Sequence, residues 1–200
     1  MNAERFRNII SFLEEIDSFK SVLRASYIKS GGHESDSDHA WHMCIYALLL
    51  HSELKLDLDL KRTLELILIH DLVEIYATDT YIYDVERNRS KKEREDAAAK
   101  KLFSTLPQNS CDMINDLWSE FEDCKTPESR FANALDRLQA LGQSVFTKGK
   151  VWKEKGITQD MTKKVNKKAF SFDPGLKEVF RLLYEKAKKG SFWAKKRGKY

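Results

Sequence analysis

Two histidines and two aspartates lie within or beside strongly apolar stretches, where side chains of these types could bind a cation. They are His39 in SDHAWHM, His70 and Asp71 in LELILIHDLVEIYATD, and Asp136 in FANALDRLQAL. A carboxylate buried without a partner is costly, so each aspartate needs a hydrogen bond, a counter-charge or a cation. Mixed nitrogen and oxygen ligands suit borderline divalent metals that keep positions open for water. We therefore predict a metal site made of these four side chains.

The His70-Asp71 dipeptide alone is more simply explained as a buried, hydrogen-bonded pair. His39 and Asp136 favour the metal site because they approach from two other predicted helices. Glu74 follows His70 by four residues and Asp71 by three, so on a helix its carboxylate faces the same cleft. The combination therefore predicts a metal centre with a further acid beside it.

The composition predicts one water-soluble domain. The chain has 200 residues, of which 42% are hydrophobic and 33% charged, with 3 prolines and 8 glycines. No apolar run approaches the roughly 20 residues that cross a bilayer, and the N-terminus lacks the apolar stretch of a signal peptide. The three cysteines are widely spaced and are expected to be reduced thiols. We expect a cytoplasmic protein without a membrane partner.

Helical periodicity predicts an all-α, single-domain bundle with no strand. The first helix is predicted to bury one apolar face, formed by Phe6, Ile9, Ile10, Leu13 and Ile16, which we call its stripe. A second helix should start at caps within residues 36–38, and a third should run unbroken through LELILIHDLVEIYA. Further helices are predicted over 86–105, over 111–122, after the Thr126 cap, over 158–168 and after Asp173-Pro174.

The end of the chain is strongly basic. Its last fifteen residues, KAKKGSFWAKKRGKY, contain seven Lys and Arg and no acid. We predict a domain over residues 1–185 and a basic tail over 186–200. Such a tail could touch nucleic acid or an anionic surface, but a solvated terminus is the simpler interpretation, and we expect no nucleic-acid partner.

The order and spacing of His39, His70-Asp71 and Asp136 resemble the H…HD…D signature of HD-domain metal-dependent phosphohydrolases. The stretches FKSVLR, SDHAWHM, LILIHDLVEIYATDTYIYD and TPESRFANALDRLQ resemble the subgroup of bacterial 5′-deoxynucleotidases and their eukaryotic relatives. The similarity runs from about residue 5 to about residue 185.

This resemblance implies an HD-type helical fold and a homodimer. It also implies one divalent metal ion, bound by His39, His70, Asp71 and Asp136. The ion would be cobalt or manganese, or else magnesium, zinc, iron, nickel or copper. By the same resemblance, three further residues have roles in catalysis and substrate binding. Glu74 matches the catalytic carboxylate, Asp79 a second acid beside the phosphate, and Arg24 the arginine that binds the phosphate.

Three positions depart from the family pattern. Ala25 stands where the deoxynucleotidases have a tryptophan that disfavours a ribose 2′-hydroxyl, so the choice of sugar is left open. Thr78 replaces a glycine, and because threonine resists positive φ, the local turn is expected to differ. Asp38 replaces the more common glutamate before the first histidine.

The sequence thus predicts hydrolysis of (deoxy)nucleoside 5′-monophosphates to nucleoside and phosphate. Two alternatives stay open. One is an HD phosphohydrolase that acts on a cyclic nucleotide, a nucleoside triphosphate or an alarmone. The other is a non-catalytic, metal-stabilised dimer that binds nucleic acid through its basic tail.

Overall fold

The chain starts with a helix that leads into a β-hairpin. In the computed structural model, which describes residues 3–166 and 169–195, helix α1 covers Ala3–Glu15 and a 3₁₀ helix covers Ile16–Ser21. Strands β1 (Leu23–Tyr27) and β2 (His33–Ser35) then pair antiparallel with an irregular register. Gly31 turns the chain between them with a φ of 107°. The predicted all-α class is confirmed, with this two-stranded sheet as the one exception among the described residues. The sequence did not indicate the hairpin, because its short strands are largely half-buried and show no alternating pattern.

Helix α2 (Asp36–Leu54) begins one residue earlier than predicted. Its N-cap is Ser35, whose hydroxyl accepts from the backbone N–H of Asp38 at 3.1 Å. The Asp38 carboxylate accepts from the Ser35 N–H in return, which completes a capping box. Because Ser35 and Asp38 satisfy the helix terminus, Asp36 does not cap the helix. It points into the protein instead, where it is fully buried.

The third apolar segment is not one helix, as the sequence predicted, but two. Helix α3 (Leu60–Ile69) ends just before His70, and the short α4 (Glu74–Ala77) follows a turn over residues 70–73. Through this turn, several amides bond to the carbonyl three residues back, as Glu74 does to Asp71 at 2.9 Å. The backbone therefore tightens where the histidine and the aspartate lie.

The second half of the chain is helical throughout its regular elements. Predicted helix 86–105 is divided at Ser90 into α5 (Val85–Arg89) and α6 (Lys91–Phe103), and α7 covers Gln108–Asp123. Helix α8 (Pro127–Phe146) is followed by α9 (Lys150–Glu154), α10 (Gln159–Asn166) and α11 (Pro174–Lys189). The predicted caps Thr126 and Asp173 are confirmed. The predicted end of α10 falls on residues 167 and 168, outside the described residues.

Helix α8 is the centre of the bundle. It packs against α2, α3, α7 and α11. The apolar side chains at helical spacing along it are all buried: Phe131, Ala134, Leu135, Leu138 and Leu141. Each fully buried leucine of this kind contributes about 1.5–3 kcal/mol of burial free energy. The stripe of α1 was predicted less well, since Phe12 is buried whereas Phe6, Ile10 and Leu13 are more than half exposed.

The segment after residue 185 is partly built into the fold. Helix α11 runs through the predicted boundary at 185 to Lys189, and Ala187 is fully buried. Beyond the helix, the Trp193 ring stacks on Trp152 with centroids 5.6 Å apart and planes at 8°. Residues 196–200 of the predicted tail lie outside the described residues. Among the described helices, none combines the length and the apolar character needed to cross a membrane.

Candidate metal centre

Three parts of the fold bring the four predicted ligands together. His39 is on the first turn of α2, His70 and Asp71 lie in the tight turn after α3, and Asp136 is in the middle of α8. His39 Nε2 lies 3.2 Å from Asp136 Oδ1 and 4.0 Å from Asp71 Oδ2. His70 Nε2 lies 2.9 Å from Asp71 Oδ2. The four side chains therefore converge on one small volume.

The two imidazoles present lone pairs to that volume. His70 Nδ1 lies 2.7 Å from the carbonyl of Ile67, which can only accept, so Nδ1 carries a proton and the neutral ring has its lone pair on Nε2. His39 Nδ1 likewise bonds to Gln139 Oε1 at 2.6 Å. Both Nε2 atoms are buried and have no hydrogen-bond partner, although carboxylate oxygens lie close by.

Lone pairs that face each other without a proton between them repel, and a cation at their centre relieves the repulsion. The orphaned Nε2 atoms and the facing oxygens are therefore the arrangement that a divalent metal would satisfy. His39, His70 and Asp136 offer ligand atoms all within 4.8 Å of one another, and Asp71 adds an oxygen beside both rings. The residues present fit such an ion.

Charges within this group shift one another's pKa values. Burial alone would raise the pKa of Asp71, but His70 and Arg24 hold it well below its usual range. Burial alone would lower the pKa of His70, but Asp71 raises it above the usual value. The pKa of Asp136 is lowered despite burial because of its contact with His39. Both carboxylates are thus ready to bind a cation.

A second acidic group lies against the first. Asp36, Asp71 and Glu74 offer oxygens within 4.8 Å of one another, and Asp36 and Glu74 are almost fully buried. Burial, followed by the charge of Asp71, raises the pKa of Asp36 to about 6 and that of Glu74 well above its usual range. Glu74 therefore lies beside the four-ligand group, on the side of Asp71.

Arg24 joins the two acidic groups from strand β1. Its Nη1 donates to Asp36 Oδ1 at 2.9 Å and to Asp71 Oδ2 at 2.8 Å. Asp79 Oδ1 lies 4.0 Å from the same nitrogen, and burial raises the pKa of this aspartate. Arg24 and Asp79, both identified from the sequence, are thus in the same site as Glu74.

A cavity of about 210 Å³ opens onto these side chains. Seven charged residues line it: Arg24, Asp71, Glu74, Asp79, Lys91, Asp136 and Arg137. The lining also includes the aromatic side chains of Tyr81, Tyr83 and Trp152, with Ala25 and Ser26 next to Arg24 in the chain. The cavity lining is therefore both strongly charged and rich in aromatic surface.

Thr78 adopts the conformation for which a glycine would be expected. Its φ is 61° and its ψ is 145°, so this threonine adopts the positive φ that it was expected to resist. Its hydroxyl donates to the Ala77 carbonyl at 2.6 Å and accepts from Arg87. These bonds hold a strained β-branched residue directly before Asp79.

Sequence reasoning missed three polar residues of the site. Asp36 was taken for a helix cap, and Lys91 was assigned no role beyond the predicted helix over 86–105. Gln139 was overlooked although it lies three residues after Asp136 and so on the same face of α8. That spacing, together with burial in the stripe, is the signal that could have identified Gln139.

The comparisons with known proteins agree with this geometry. The HD domain family matches residues 16–177. The 5′-deoxynucleotidase HDDC2 of Bos taurus is 30% identical over 146 residues, which cover 72% of this chain and 70% of the relative. The 5′-deoxynucleotidase hdd1 of Schizosaccharomyces pombe is 26% identical over 168 residues, covering 80% and 82%.

A solved structure is similar over almost the whole chain. It belongs to a protein of Magnetospirillum magnetotacticum described as a predicted metal-dependent phosphohydrolase, with a TM-score of 0.88 and 35% sequence identity. The match covers 96% of this chain and 97% of that one. The helical bundle, the convergence of the H…HD…D residues within it and the family match over residues 16–177 all point to the same family. The chain therefore belongs to the HD domain family.

Proposed function

We propose that this protein hydrolyses nucleoside 5′-monophosphates, deoxynucleotides among them, with a divalent ion bound by His39, His70, Asp71 and Asp136. The observation that carries the proposal is the pair of buried, unpartnered Nε2 atoms facing two carboxylates that line a cavity. The relatives named 5′-deoxynucleotidases support the choice of substrate.

The charge of the site supports the need for a cation. Four acidic side chains line the cavity, from Asp71, Glu74, Asp79 and Asp136. Three cationic side chains, Arg24, Lys91 and Arg137, also line it, and Arg24 already donates to two aspartates. The pKa values of Asp71 and Asp136 are lowered, so a phosphate dianion close to these two carboxylates would be repelled. A divalent ion bound here would offset this charge, polarise the phosphoryl group and lower the pKa of water.

The protein's own side chains would then position the reactants. Arg24, held by Asp36 and Asp71, would present its remaining N–H groups to the phosphate in the planar geometry that lysine lacks. Glu74, beside the metal ligands, would orient the attacking water and take its proton. Asp79, at the cavity wall, would assist departure of the 5′-oxygen by donating a proton.

The rest of the cavity suits a nucleoside. Tyr81, Tyr83 and Trp152 offer aromatic surface in the cavity wall on which a base can pack. Ala25 leaves space beside Arg24, and we propose that both ribo- and deoxyribonucleotides enter. Cobalt and manganese are the ions proposed to support activity, with other transition ions or magnesium as the alternatives to test.

We further propose a homodimer in the cytoplasm. Large apolar side chains are exposed on α1 and α2, including Phe6, Ile10, Leu13, Trp41 and Leu49, and a second copy would cover them. All three cysteines are free, as is usual in a reducing compartment. Light scattering would measure the oligomeric state, and a monomer at micromolar concentration would contradict the dimer.

The deciding experiment measures phosphate release from a panel of dNMPs and rNMPs with Mn²⁺, Co²⁺, Mg²⁺ or EDTA. Cyclic nucleotides, triphosphates and an alarmone belong in the same panel. We expect release from monophosphates that EDTA abolishes and that Asp71→Ala eliminates together with metal binding. No release from any monophosphate would overturn the proposed substrate. Release from another nucleotide alone would favour the corresponding alternative.

A further inference from the structure

A buried chain of hydrogen bonds reaches His39 from the side away from the proposed metal. Ser26 Oγ donates to Glu34 Oε2 at 2.8 Å, and Gln139 Nε2 donates to Glu34 Oε1 at 2.6 Å. Gln139 Oε1 then accepts from His39 Nδ1 at 2.6 Å. Glu34, Gln139 and His39 are at most 2% exposed. The chain links β1, β2, α8 and α2, and the three side chains beyond Ser26 are shielded from water.

Glu34 decides the direction of every bond in this chain. A carboxylate can only accept, so the amide nitrogen of Gln139 must face Glu34 and the amide oxygen must face His39. The amide oxygen in turn requires a proton on His39 Nδ1. The second N–H of the amide nitrogen faces His42 Nδ1 at 3.2 Å. With Nδ1 protonated, Nε2 of His39 keeps its lone pair on the side of Asp136 and Asp71.

We propose that Glu34 and Gln139 are positioning residues that fix the tautomer and the ring orientation of His39 and so set the metal affinity of the site. Neither was identified from the sequence, and neither contacts the proposed metal position. The inference rests on the metal centre of the proposed function but not on its substrate. An acceptor behind a ligating imidazole fixes its tautomer and increases its basicity, and its loss typically weakens metal binding by about 10–100-fold.

The first test replaces Gln139. Gln139→Leu removes the acceptor for His39, and the Kd for Mn²⁺ should rise by about 10–100-fold in isothermal titration. The matched control is Gln143→Leu, one turn further along α8. Gln143 is also buried and donates to the Tyr27 carbonyl at 2.6 Å, but it does not touch His39. The control should leave the Kd within about twofold of the wild-type value, well below that range.

The second test exchanges the two side chains. The double variant Glu34→Gln/Gln139→Glu keeps the composition and the net charge but places a carboxylate directly behind His39. The amide at position 34 can donate to that carboxylate and accept from Ser26, so the three bonds from Ser26 to His39 are restored, and only the contact with His42 loses its donor. Metal affinity should equal or exceed that of the wild type. If the exchanged protein bound Mn²⁺ as weakly as Gln139→Leu, the positioning role would be wrong.

A third measurement needs no variant and so does not depend on folding of the mutants. In the metal-free wild-type protein, ¹⁵N-correlated NMR of the imidazoles should find His39 as the Nδ1–H tautomer. An Nε2–H tautomer would overturn the inference, as would a folded Gln139→Leu with wild-type affinity. A wild-type protein that binds no metal would contradict the metal centre itself, whereas failure of nucleotide hydrolysis would leave the Kd and tautomer results unaffected.

Discussion

Asp36 is fully buried and accepts a hydrogen bond from Arg24 at 2.9 Å across the hairpin that separates them in the chain. The same Arg24 nitrogen, Nη1, also donates a hydrogen bond to Asp71 at 2.8 Å. The arginine is thus both a neutralising partner for two acids and the proposed ligand of the phosphate. Its substitution should therefore change stability and substrate binding together, and the two effects can be separated.

Arg24→Ala should raise KM by about 100-fold, because charge-assisted bidentate bonds to the phosphate are lost. It should also lower the free energy of unfolding by about 3 kcal/mol, because Asp36 is left buried without its partner. Urea denaturation and steady-state kinetics measure the two effects. Adding Asp36→Asn should recover much of the stability without recovering KM. An Arg24→Ala variant with wild-type KM would remove this residue from the substrate site.

Glu74→Gln should keep the bound metal and reduce kcat by about 100-fold or more, because an amide cannot take the proton of the attacking water. Metal content by mass spectrometry and initial rates of phosphate release are the measurements. The matched control is Glu120→Gln, which alters a carboxylate that binds Arg62 away from the cavity and should leave kcat unchanged. Full activity of Glu74→Gln would show that another group activates the water.

Ala25→Trp should shift the choice of sugar toward deoxynucleotides. A large ring beside Arg24 would fill space in a cavity of only about 210 Å³, and the resemblance implies that this space receives the 2′-hydroxyl. The ratio of kcat/KM for dNMP over rNMP should rise at least about tenfold, or about 1.4 kcal/mol. Ala140→Leu adds bulk on another wall of the cavity and should affect both sugars equally. An unchanged ratio in Ala25→Trp would contradict the assignment.

Thr78→Gly should be more stable than Thr78→Ala by about 1 kcal/mol. Both substitutions remove the bonds of the hydroxyl, but only glycine adopts a φ of 61° with a ψ of 145° without strain. The strain energy that glycine avoids at this position is larger than the free-energy cost of the conformational entropy that glycine loses on folding. Chemical denaturation of the two metal-free variants measures it. Equal stabilities would mean that the turn relaxes and stores no strain.

The four metal ligands and Glu74 could be proposed from the sequence, because ionisable residues in apolar helical stretches are costly to bury unless they pair with one another or bind a cation. Arg24 and Asp79 were implied only by the resemblance to the HD-domain phosphohydrolases. The structure brings all seven predicted side chains together: Arg24, His39, His70, Asp71, Glu74, Asp79 and Asp136. Their individual roles stay predictions. The helical fold was also predictable, because the periodicity and the caps Thr126 and Asp173 are local signals.

What the sequence could not predict depends on contacts between distant segments. No glycine or proline marks the turn at residues 70–73, so an apolar run there looks like a single helix. Glu34 lies in the polar stretch GGHESD and resembles a solvated loop residue. Only the hairpin brings it to Gln139, 105 positions later. The hairpin thus contributes Arg24 to one side of the site and Glu34 to the other.

The stack of Trp152 on Trp193 gives the molecule an optical reporter. Trp152 lines the cavity, and its indole is in contact with a ring from the segment after α11. Emission from this pair depends on the polarity around Trp152, and a ligand that enters the cavity changes that polarity. Titration with a non-hydrolysable nucleotide can therefore be followed by intrinsic fluorescence, without a label and without turnover. The same signal would register the detachment of residues 190–195 from the bundle.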